Sequence, residues 1–222
     1  MLLFKRFFAR IFAFVVVNKI KRSYYKAPEI QRKTLKKLIE KAKNTSFGIE
    51  HNFDEIKYHE DFIERVPVRD YEQIKKYIDR IKNGELGVLW PGKPKYFAKT
   101  SGTTSGVKQI PITNESMPHH ILSARNSLLF YIYETRKTKF LNGKTIFIQG
   151  SPVLKNINGI LQGRLSGIVA YHVPSYLRKN NLPTFKTNSI EDWEQKVDKI
   201  CDETINENMT VIGGIPSWVQ MY

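Results

Sequence analysis

Residues 95–113 read KYFAKTSGTTSGVKQIPIT, and no other stretch restricts the fold as tightly. Two β-prone runs, 95–100 and 107–113, flank a loop that packs two glycines and five hydroxyl side chains between Thr100 and Gly106. Pro111 has a fixed φ and no N–H to donate, so the second run opens a strand rather than a helix. The element is therefore strand–loop–strand. A Walker-type loop needs four residues between its glycines, lysine directly after the second, and a following helix. Here three residues, Thr103, Thr104 and Ser105, separate Gly102 from Gly106, and Val107 stands before Lys108. The three-glycine dinucleotide pattern fails as well. Backbone amides freed by the glycines, hydroxyl donors and the Lys108 cation together suit a flexible polyanion. On local physics alone, a solvated hairpin turn fits the same residues.

The surrounding chain alternates helix and strand signals. Pro28 opens a helix with Leu35, Leu38, Ile39 and Ala42 on one face, and Gly48 is read as its stop. Asp70 and Gln73 have the spacing of a capping box ahead of an apolar stripe of Ile74, Tyr77, Ile78 and Ile81, and Asn83-Gly84 ends that helix. A long helix is expected over 114–134 and another over 190–205. The apolar runs TIFIQG and MTVIGG read as strands that bracket an irregular stretch. Such alternation predicts an α/β fold with a mixed or parallel sheet covered by helices.

A single cysteine, Cys201, rules out an intramolecular disulfide and places the chain in the cytoplasm; it reads as helix packing, not as a nucleophile. No Cys/His cluster has zinc spacing. The net charge of +15 favours anionic partners, and RNA binding through a basic face is one reading of it. Against that reading, the cations are scattered and no aromatic RNA-binding signature is present. Seven of them (Lys5, Arg6, Arg10, Lys19, Lys21, Arg22 and Lys26) precede the first acidic residue, Glu29. The intervening apolar run IFAFVVV is far short of a membrane span, and no small-residue cleavage site comes after it. Residues 1–27 are expected to form a basic helix packed on the body, with at most peripheral contact to an anionic membrane.

The loop sequence TSGTTSGVK resembles the phosphate-binding signature of the adenylate-forming superfamily, and IPITNESM resembles the strand and helix start next to that loop in the superfamily. VPVRDYEQIKKYIDRIKNGE, residues 66–85, is similar to a segment of one branch, the auxin-responsive or Gretchen Hagen family of acyl-acid amido synthetases and their bacterial-type relatives. The terminal GGIPSWVQMY fits the same branch. The resemblance runs from about Pro28 onward and implies the front part of the large, luciferase-like domain, here 28–222, with the C-terminal domain absent. An ending two turns into a helix agrees with that expectation.

Chemically, the resemblance implies activation of a carboxylic acid by ATP, then amide formation with an amine, typically of an amino acid. Thr100, Ser101, Gly102, Thr103, Thr104, Ser105, Gly106 and Lys108 would hold the ATP phosphates, with Lys108 also neutralising charge during catalysis. Arg125, Trp218 and Val219 are candidates for the acyl-acid pocket. His119 and His120 read as surface and His172 as packing near a pocket. The Mg2+ ligand is expected beyond residue 222, and no metal ligand is assigned within the chain. A fragment of this kind is expected to be inactive alone. A catalytically dead adenylation-like scaffold is the alternative function, and no nucleic-acid partner is expected.

Overall fold

The computed structural model describes residues 2–100, 106–173 and 178–222. Helices come first: α1 Leu2–Tyr24, α2 Ala27–Ala42, α3 Ser46–Glu50, α4 His59–Arg65 and α5 Tyr71–Lys82. Strands β1 Tyr96–Lys99 and β2 Gln109–Ile112 precede the long helix α6 Met117–Thr135. Then come β3 Lys144–Ile148, β4 Lys155–Ile157, β5 Ile160–Arg164 and α7 Leu165–Tyr171. The chain continues through β6 Asn181–Leu182, α8 Phe185–Asn188, α9 Trp193–Thr204, β7 Met209–Gly214 and α10 Pro216–Met221.

Helix α5 forms for local reasons. Asp70 accepts from the Gln73 amide at 2.9 Å while the Gln73 side chain accepts from the Asp70 amide at 2.9 Å, so two orphan donors are satisfied reciprocally. Its buried stripe, Tyr77, Ile78 and Ile81, packs with Val88, Phe97 and Ile160. Each fully buried side chain of this size contributes about 1.5–3 kcal/mol relative to exposure.

Helix α2 departs from expectation in two ways. Ile39 and Ala42 pack on Phe53, but Leu38 faces solvent. The helix ends at Ala42, well before Gly48, because the Thr45 hydroxyl donates to Ala42 O at 2.7 Å and accepts from Gly48 N at 3.0 Å. Gly48 thus lies inside α3, buried against the carbonyls that close α2, and a Cβ there would run into Ala42 O. Glycine is needed for that close approach, not as a stop. Helix α6 likewise starts at Met117 rather than Asn114. The Thr113 and Ser116 side chains accept from each other's amides at 3.1 and 3.0 Å and hold 114–116 in a turn.

The described strands form two sheets, ordered β2-β1-β5-β4 and β6-β3-β7. β1 and β2 are antiparallel, with Tyr96 opposite Ile112 and Lys99 opposite Gln109. β3 lies parallel to both β6 and β7. The stretch expected to be irregular contains the antiparallel β4–β5 hairpin, turned by Asn158 and Gly159 at φ 50° and 76°. Asn-Gly is the favoured pair for such a left-handed two-residue turn.

The chain divides into two compact units. One comprises Ile20–Met117 and Lys155–Gln162 and holds the α5 and α2 cores. The other comprises Met1–Lys19, Pro118–Leu154 and Gly163–Tyr222. In it, Ala13 and Val17 of α1 pack on Leu129 and Ile132 of α6, and Ile146, Ile148 and Ile200 pack with Trp193, Trp218 and Val219.

Candidate functional site

The β1–β2 ladder ends on one further bond. The Thr100 amide donates to Lys108 O at 3.0 Å, so Thr100 and Lys108 are held side by side at the end of the ladder. Gly106 sits at φ +76°, where an added Cβ would meet nothing within 4 Å among the described residues. The backbone conformation, not space, makes glycine the suitable residue there. Ser101, Gly102, Thr103, Thr104 and Ser105, which the family resemblance assigns to phosphate contacts, lie outside the described residues.

Lys108 is half-buried, with its ammonium 5.6 Å from the centroid of the Tyr71 ring. Tyr71 is the first residue of α5, directly after the Asp70 cap, and its hydroxyl accepts from the Gln109 amide at 2.9 Å. The capping box therefore orients Tyr71, and Tyr71 fixes β2 at the residue next to Lys108. Tyr71, Lys99, Val107 and Gln109 also line a depression of about 230 Å³. Its α5 wall carries ion pairs Glu72–Lys75 at 3.8 Å and Asp79–Lys82 at 3.6 Å. A ring-supported cation beside a left-handed glycine can meet a flexible, multiply charged anion with little reorganisation. Among the described residues no group of three or more His, Cys, Asp or Glu side chains could hold a metal ion.

The other candidates lie elsewhere. Arg125 is exposed on α6; it donates twice to the Asn126 side chain, at 3.2 and 2.9 Å, and lies 5.6 Å from the Phe12 ring centroid. Trp218 and Val219 are half-buried on α10, with Trp218 4.6 Å from Trp193, and both pack against the β3 core. These three belong to one unit and Lys108 to the other. His119 is exposed and His120 half-buried at the start of α6, and His172 caps the end of α7. Cys201 is half-buried in α9.

Two residues escape the sequence reading. Tyr71 lies within the 66–85 segment, whose resemblance assigns it no site role. Lys196 is 2% exposed, and its ammonium donates to Gln149 O at 2.9 Å and Asn188 O at 2.7 Å. Burial pushes its pKa down to about 8, and the Arg164 charge adds to the effect. Its position is a signal: Trp193, Lys196, Val197 and Ile200 share one stripe of α9, where a lysine is out of place.

The family model for the GH3 family N-terminal domain matches residues 16–171. The chain belongs to the GH3 family. Indole-3-acetic acid-amido synthetase GH3.15 of Arabidopsis thaliana is 36% identical over 116 residues, covering 44% of this chain and 19% of that protein. Jasmonoyl--L-amino acid synthetase JAR4 of Nicotiana attenuata is 29% identical over 144 residues, or 62% of this chain and 24% of that one. The matches thus span a fifth to a quarter of these GH3 relatives. Among solved structures, the GH3.15 acyl acid amido synthetase superposes with a TM-score of 0.70 at 18% identity over 87% of this chain and 35% of its own. AtGH3.15 acyl acid amido synthetase in complex with 2,4-DB gives 0.62 at 21%, over 77% of this chain and 31% of that one. At those identities the likeness establishes the fold alone: an α/β architecture shared with about a third of the GH3.15 chain.

Proposed function

We propose that the protein to which this chain belongs activates a carboxylic acid with ATP and transfers the acyl group to an amine, in the manner of an acyl-acid amido synthetase. Membership of the GH3 family is the observation that carries this reading, and the bond that holds Thr100 beside Lys108 supports it locally. In the reaction a carboxylate oxygen bonds to the α-phosphorus of ATP, pyrophosphate leaves, and the amine nitrogen then displaces AMP from the acyl carbon. A carboxylate is already a nucleophile, so the first step asks the protein for positioning and charge neutralisation more than for a general base.

Lys108, held over Tyr71, would supply one fixed positive charge to the phosphates, and the left-handed Gly106 would let the loop backbone approach them. Thr100, Ser101, Gly102, Thr103, Thr104 and Ser105 complete the assigned phosphate contacts. Mg2+ would neutralise phosphate charge when bound, its ligand being assigned outside this chain. Arg125, Trp218 and Val219 remain the proposed acyl-acid contacts. Residues 28–222 would then be part of an adenylation domain, with 1–27 as a helix added to it. ATP as co-substrate and a single cysteine both fit a cytoplasmic enzyme.

Product analysis tests this reading. The gene's complete product, given ATP, Mg2+, a panel of aromatic and aliphatic acids and mixed amino acids, should form AMP and an amide only when acid is present. Absence of acid-dependent AMP across the panel would instead support an inactive scaffold.

A further inference from the structure

Helix α1 is apolar on two opposite sides. One side, with Ala9, Ala13, Val16 and Val17, packs on Leu129 and Ile132 of α6. The other carries Phe4, Phe8, Ile11 and Val15, spaced i, i+4, i+7 and i+11, and leaves them 69%, 62%, 44% and 59% exposed. Phe7 extends the same face. Apolar helix faces are normally covered, yet among the described residues this one is left largely exposed. The family match begins at residue 16, so these residues lie ahead of the shared domain.

The rim of the face is basic. Lys5 donates to Leu141 O at 2.7 Å and Arg10 to Arg136 O at 2.7 Å, which sets the segment Arg136, Lys137, Lys139 beside α1. Carbonyl partners hold these two cations in place without neutralising them. No acidic residue occurs before Glu29. No helix among the described residues is long and apolar enough to cross a membrane.

We propose that the Phe4–Phe8–Ile11–Val15 face of α1 docks in the interfacial plane of a membrane that contains anionic lipid. An apolar face sunk to the headgroup boundary with cations at its rim matches such a surface in both shape and charge. A second copy of the chain fits less well, because face-to-face pairing would bring two basic rims together. The packed side of α1 needs no change on docking, so the helix acts as an anchor already held in place by α6.

The test is flotation of the 222-residue chain with phosphatidylcholine vesicles, with and without one-third phosphatidylserine. The protein should float with the anionic vesicles, lose most of that binding when salt rises from about 0.1 M to about 0.5 M, and bind neutral vesicles weakly. Combining Phe4→Ser, Phe8→Ser and Ile11→Ser should weaken flotation about tenfold or more with an unchanged melting transition. Lys137→Glu with Lys139→Glu, which leaves the apolar face intact, should weaken it too. No flotation of the unaltered chain, or flotation that survives both sets of changes, overturns the proposal. Self-association without flotation, abolished by the serine changes, overturns it in favour of a second copy.

Discussion

Replacing Lys196 by methionine probes a buried charge that has no carboxylate among its hydrogen-bond partners. The ammonium lies between Gln149 O and Asn188 O at 2% exposure, and burial, reinforced by Arg164, pushes its pKa from 10.5 down to about 8. The folded protein therefore releases this proton while the unfolded chain still holds it. Between about pH 8 and pH 10.5 the unfolded state binds more protons, so stability rises with pH across that window and is lost again as pH falls through it. The distance from 10.5 to about 8, at about 1.4 kcal/mol per pH unit, amounts to about 3 kcal/mol. Above the folded pKa the neutral amine still has N–H groups for both carbonyls. Below it, the folded state carries the full cost of a desolvated cation. Methionine keeps an unbranched stem of similar length and removes both the charge and the donors. Urea unfolding of wild type and Lys196→Met, followed by far-UV circular dichroism from pH 7.5 to 10.5, isolates the residue, since other groups titrate alike in both. The stability difference, wild type minus variant, should climb by about 3 kcal/mol across the series. A flat or falling difference would refute the reasoning.

Asp70→Ala removes the acceptor of the α5 capping box and should cost about 1 kcal/mol in urea unfolding, with Asp70→Ser recovering most of it. Gly48→Ala places a Cβ against Ala42 O and 2.9 Å from Lys43 O; thermal unfolding should register about 1–3 kcal/mol of destabilisation, where a helix-propensity argument would predict a gain. Tyr71→Phe leaves the Gln109 amide without its acceptor, so β2 should show faster hydrogen exchange at Gln109 while α5 keeps its protection.

The features legible in the sequence are local ones. Asp70 and Gln73 announce α5 because capping involves residues three apart, and the apolar runs at β3 and β7 announce strands, which pair in parallel. The β4–β5 hairpin escapes notice although Asn158-Gly159 is a strong turn pair; its flanks, KNI and ILQGR, are too short and polar to read as strands. Gly48 reads as a stop because its reason for being glycine is the carbonyl end of α2, a tertiary fact. The loop at 100–108 stands out by composition, and its resemblance supplies a chemistry for it. That Tyr71 ties α5 to β2 beside Lys108 is not readable, since nothing in either segment signals the other. Arg125 reads from its apolar neighbours as a group that could orient an acyl carboxylate; that its helix face is exposed and its guanidinium rests over Phe12 depends on α1, which nothing near Arg125 in the sequence signals.

In the proposed reaction the loop ending at Lys108 binds the phosphates of ATP during acid activation. Carboxylate-dependent exchange of labelled pyrophosphate into ATP, run on the complete gene product and its Lys108→Ala variant, tests it most directly. Exchange should require an acid and fall by about 10²–10³-fold in the variant, whose circular dichroism should match wild type. Exchange at the wild-type rate in a folded Lys108→Ala protein would contradict it.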